Sequence, residues 1–106
     1  MRSRELILKY ARRRREVFEN LDKYLEKIKE IVKNIDHDAE IYLFGSVAED
    51  KHLLSSDIDI LIISKTPKEK IIVELWRNGI DYPFEFHVYP PPYLDLFRRR
   101  AKLIKI

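Results

Sequence analysis

Ile41-Tyr42-Leu43-Phe44-Gly45-Ser46 and, after ten intervening residues, Asp57-Ile58-Asp59-Ile60-Leu61-Ile62-Ile63 are the two stretches that decide how this chain is built. The first is a short apolar run stopped by a glycine, and the second is rich in β-branched residues. Both read as strands buried in a sheet. Residues i and i+2 of a strand point to one face, so Asp57 and Asp59 project together while Ile58 faces the other way. Carboxylates held that close repel unless a cation lies between them. Hard oxygen donors with positions left open for substrate phosphates suit Mg²⁺ rather than zinc. At the end of the first run, Gly45 at a strand-to-helix turn lets the backbone approach a ligand, and Ser46 at the helix start offers N–H groups and a hydroxyl to a phosphate.

Working outward, Phe84-Glu85-Phe86-His87-Val88-Tyr89 alternates and predicts a third strand, closed by Pro90-Pro91-Pro92 before a short basic helix from about Tyr93 to Arg100. The alternation puts Glu85 on one face with His87 and Tyr89. Glu85 is therefore the candidate third carboxylate, and Asp81, which also precedes that strand, is the reserve. Thr66-Pro67-Lys68-Glu69 has the form of a capping box with Pro at the first helical position. Ile71, Ile72, Leu75 and Trp76 follow as a core stripe, with Gly79 as terminator. Towards the N-terminus, apolar residues from Leu6 to Ile35 recur at spacings of three and four, the stripe of an amphipathic helix. A single helix over residues 3–34 would be about 48 Å long, so its first turns either break near Asn20 and fold back or form a docking arm, homo-oligomeric or heteromeric. The expected organisation is a basic helical arm over 1–19, dispensable for folding, and a single domain over 20–106. Strands interleaved with helices imply an α+β fold with α/β-type layering, one small sheet covered by helices.

At 106 residues, 45% of them apolar, and with no cysteine, the chain fits one globular domain without disulfide or thiolate chemistry. No apolar run approaches a membrane span and the N-terminus lacks the form of a signal peptide, so a cytoplasmic address is expected. The net charge of +3 is uneven: residues 1–20 hold seven Arg and Lys against three Glu, residues 91–106 hold five against one Asp, and the middle is acidic. Chemistry is expected in that acidic centre. Basic runs at Arg12 to Arg15 and Arg98 to Arg100 leave nucleic acid as an unfavoured partner.

Phe44-Gly45-Ser46, the spacing, and Ser56-Asp57-Ile58-Asp59-Ile60-Leu61 together resemble the signature of the minimal nucleotidyltransferases, the smallest members of the DNA polymerase β superfamily. The resemblance covers roughly residues 20–95. It implies a polymerase β-like fold with a mixed sheet, metal binding and catalysis by Asp57 and Asp59, and a third acidic residue on a later strand, matched by Glu85. It further implies ATP as substrate, Mg²⁺ as cofactor, and a helical HEPN-type toxin as partner, neutralised by transfer of AMP or by complex formation. One departure stands out. Family members commonly continue Gly-Ser-x-Ala-Arg-Gly, whereas this chain continues Val47-Ala48-Glu49-Asp50, an acid in place of a phosphate-facing cation, with Lys51 and His52 as candidate replacements.

Overall fold

The computed structural model describes residues 2–49 and 57–106, the side chain of Arg2 excepted. Asp50, Lys51, His52 and Ser56 therefore lie outside the described residues. The elements run α1 (Arg2–Glu19), α2 (Leu21–Ile35), β1 (Glu40–Phe44), α3 (Gly45–Ala48), β2 (Ile58–Ile63), α4 (Lys68–Arg77), β3 (Phe84–Tyr89), α5 (Leu94–Arg100) and β4 (Ile104–Lys105), with a 3₁₀ turn at Pro91–Tyr93. No described helix is long and apolar enough to cross a membrane.

The strands form one mixed sheet in the order β3-β2-β1-β4. β1 is antiparallel to β2 and β4, whereas β3 runs parallel to β2, as expected of two strands joined through a helix. β2 is central and covered on both sides, which explains its unbroken apolar run. Ile58, Ile60 and Ile62 point into the main core with Ile28 and Val32 of α2 and Ile71 and Leu75 of α4, all fully buried. On the other face Leu61, Ile63 and Tyr42 meet Leu94 and Phe97 of α5 and Leu103.

The two outer strands differ in legibility. β3 matches its expected span, while β4 was not foreseen, because two residues carry no periodicity. It is an edge ladder closed by an ion pair from Lys105 to Glu40 at 3.5 Å.

α4 departs from expectation at its N-terminus and is terminated by Gly79 as expected. Pro67 is its N-cap rather than its first helical residue, and the capping box does not form: the Thr66 amide donates to the Ser64 hydroxyl instead, at 3.0 Å. At the C-terminus, the Gly79 amide donates to the Trp76 carbonyl and the Ile80 amide to the Leu75 carbonyl, with Gly79 at φ +79. This is a Schellman motif, and its apolar contact joins Leu75 and Ile80, both fully buried. Trp76, expected in the core, is 59% exposed. The buried stripe is Ile71 and Leu75, four residues apart, and Trp76 lies one position round the helix from it.

The long N-terminal helix breaks at Asn20, which caps α2 at φ −120, ψ 28. Val17 is fully buried and Phe18 packs on the core, whereas Leu6, Ile7, Leu8 and Tyr10 are about half-exposed or more. Arg13 donates to the carbonyls of Gly79 and Tyr82 at 2.8 and 3.2 Å and to the Tyr24 hydroxyl at 3.0 Å. Arg14 donates to the Tyr82 hydroxyl at 2.7 Å. Half of the basic run from Arg12 to Arg15 is thus turned inward onto the segment that leads into β3.

Candidate active site

The site is assembled where β1 ends and β2 and β3 begin. Phe44 pairs with Asp59, and Asp59 is in register with Glu85. Side chains of residues in register on adjacent parallel strands share a face, and the strands lie about 4.8 Å apart. Asp59 and Glu85 are therefore neighbours on the face that carries Leu61 and Ile63. His87, two residues beyond Glu85, points the same way. Its Nε2 lies 3.2 Å from Asp59 Oδ1 and 3.8 Å from Glu85 Oε1. The Phe44 ring meets the imidazole edge to face at 5.0 Å and holds it against the strand.

Asp59, Glu85 and His87 each offer a ligand atom, all within 4.8 Å of one another. Among the described residues, no Lys or Arg comes within ion-pair distance of Asp59 or Glu85, so their negative charge faces only the histidine. Two carboxylates and an imidazole are a chemically suitable donor set for a small divalent cation, and among the described residues the acidic pair has no other counter-charge. Glu85, rather than Asp81, stands beside Asp59. Asp81 lies three residues before β3 and pairs with Arg13 at 3.5 Å.

Asp57 occupies the position before β2, with its side chain 51% exposed and Oδ1 4.0 Å from Arg14 Nη2. It does not join the Asp59–Glu85–His87 group. Because β2 begins at Ile58, strand alternation does not fix the direction of Asp57, and the segment on its N-terminal side lies outside the described residues.

Gly45 has two independent reasons to be glycine. Its φ of +74 turns the chain from β1 into α3, and a Cβ there would overlap Asp59 Oδ2 while lying 3.2 Å from Asp59 Cγ. The backbone thus passes directly over the carboxylate. Ser46 occupies the first turn of α3, and the Glu49 amide closes that turn on the Gly45 carbonyl at 3.1 Å. Glu49, which closes α3, is exposed.

Sequence reasoning passed over His87 as a member of the site, although alternation put it on the correct face. What it lacked was the register between β2 and β3, a non-local quantity that no single strand encodes. No curated protein and no solved structure matches the chain. Over residues 25–105, which carry Gly45, Ser46, Asp57, Asp59 and Glu85, the sequence matches the nucleotidyltransferase domain, and the chain belongs to that family.

Proposed function

We propose that this protein is a Mg²⁺-dependent nucleotidyltransferase that moves AMP from ATP to a partner protein, acting in the cytoplasm as the antitoxin of a HEPN-type toxin. The observation that supports it best is the in-register pair Asp59 and Glu85, set beside a glycine turn whose backbone crosses the Asp59 carboxylate. Asp57, Asp59 and Glu85 would hold the cation, and Gly45-Ser46 would receive the phosphates. The cation would neutralise charge on the triphosphate as it develops. Glu85 helps activate the acceptor hydroxyl: the hydroxyl oxygen bonds to the α-phosphorus, its proton passes to the carboxylate, and the bond to the bridging oxygen breaks to release pyrophosphate. A protein acceptor is supported by the apolar residues left exposed on α1, Leu6, Ile7, Leu8 and Tyr10. A nucleic-acid acceptor is less favoured, since Arg13 and Arg14 are engaged within the chain.

The second reading is a binding module that neutralises the toxin by complex formation alone, and exposed Glu49 is what favours it. An added negative charge beside Gly45-Ser46 opposes triphosphate binding. The two readings separate in one experiment: the full chain is incubated with the protein encoded beside it, α-labelled ATP and Mg²⁺. Label on the partner, lost in Asp59→Asn and in Glu85→Gln, is the expected result. A stable complex that acquires no label favours the binding module.

A further inference from the structure

We propose that His87 is a ligand of the cation site and tilts its selectivity from Mg²⁺ towards Mn²⁺. This deepens the metal-dependent reading above and rests on it. Ligand atoms at right angles around a small divalent ion bound at about 2.1 Å are about 3 Å apart. His87 Nε2 stands 3.2 Å from Asp59 Oδ1 and 3.8 Å from Glu85 Oε1, so modest side-chain adjustments bring all three to one ion. The imidazole is positioned for this: β3 sets it on the same face as Glu85, its ring is braced by Phe44, and it is about a third exposed, open to an incoming ion.

The donor chemistry then decides the preference. Mg²⁺ favours an all-oxygen shell with several retained waters, while ions further along the first transition row accept imidazole nitrogen increasingly well. An imidazole joined to the carboxylates discriminates against Mg²⁺ relative to carboxylates alone. Mn²⁺ keeps the affinity for carboxylates that Mg²⁺ has and accepts the imidazole more readily, so of these two ions it is the one the set favours.

The experiment is titration of the full chain, without nucleotide, with Mn²⁺ alone and Mg²⁺ alone by calorimetry, repeated on His87→Phe, His87→Asp and Asp59→Asn. The native chain should bind Mn²⁺ at least ~10-fold more tightly than Mg²⁺. His87→Phe should weaken Mn²⁺ by about 10-fold or more and Mg²⁺ by less than ~3-fold, and His87→Asp should shift the ratio towards Mg²⁺. Asp59→Asn should lose both ions. An equal effect of His87→Phe on both ions, or none on either, overturns the assignment of His87 while leaving the metal site standing. A native chain that binds neither ion overturns the metal-dependent reading together with it. Should the variants fail to fold, substoichiometric Mn²⁺ added to the native chain must broaden the imidazole resonances of His87 before those of His37, and equal broadening of the two overturns the proposal.

Discussion

Gly45 and Asp59 are a coupled pair, since the space that glycine leaves open is filled by the carboxylate across the ladder. Gly45→Ala meets two separate penalties. A positive φ costs an L-residue about 1–2 kcal/mol, and the new methyl group must displace the Asp59 carboxylate or the β1–α3 turn. The expected total is about 2–3 kcal/mol, read as a fall in melting temperature of roughly 10 °C or more for a chain of this size. The two penalties separate in a double-mutant cycle. In an Asp59→Ala background the overlap with Oδ2 is gone and mainly the dihedral cost remains, so Gly45→Ala should destabilise by at least ~0.5 kcal/mol less there than in the native chain. Equal costs in both backgrounds would show that the turn, rather than the carboxylate, gives way.

The elements differ in how firmly sequence dictates them, and α1 is the sharpest case. Its last turns are locked to the domain by Val17, fully buried, and by Arg13, which reaches three groups across two other segments. In its first turns the apolar side chains Leu6, Ile7 and Leu8 are exposed. Burial of Val17 alone is worth about 1.5–3 kcal/mol. Removal of residues 1–19 should therefore lower the melting temperature by ~10 °C or more, and removal of residues 1–8 by less than ~3 °C. Thermal melting of the two truncated chains tests this, and a native-like melt after the longer deletion would show a separable arm. The break at Asn20 was legible as an alternative, because a helix of that length exceeds what a compact domain can cover. The anchoring by Arg13 was not, because its partners Gly79 and Tyr82 are more than sixty residues away. The same distinction runs through the molecule. Strands β2 and β3 announce themselves by runs and alternation within their own residues. Trp76, the N-cap at Pro67, the ladder to β4 and the meeting of Glu85 with His87 and Asp59 depend on what lies opposite, and local pattern is silent about that.

At the scale of the whole molecule, two polar contacts, one between α2 and the end of β2 and one within β1 that β4 supports, give folding its dependence on pH. Asp36, just after α2, accepts a hydrogen bond from the buried Ser64 hydroxyl at the end of β2, and a second from the Asp38 amide at 3.0 Å. Those donors, the Ser64 hydroxyl first, hold its carboxyl below the ordinary range. Glu40, on β1, is held down chiefly by the Tyr42 hydroxyl, which donates at 2.8 Å, with Lys105 of β4 assisting. A carboxylate whose folded pKa lies below its unfolded one contributes stability that is complete above the unfolded value, near pH 4, and is lost as pH falls through the folded one. The tyrosines act at the other limit. Burial, and then hydrogen bonding to Glu40 and Glu16, raises Tyr42 and Tyr24. Both favour the neutral phenol in the fold, so their contribution is complete below pH ~10 and fades as pH rises through their folded values. The melting temperature should thus show a plateau between about pH 5 and pH 9, an acid limb and an alkaline limb. Ser64→Ala removes the largest influence on Asp36 and should shallow the acid limb while leaving the alkaline one in place; Tyr42→Phe should shallow both, since one hydroxyl serves Glu40 and titrates itself. Melting curves of the three proteins from pH 2 to pH 11 decide it, and an acid limb unchanged in Ser64→Ala would mean that the α2–β2 contact does not govern acid unfolding.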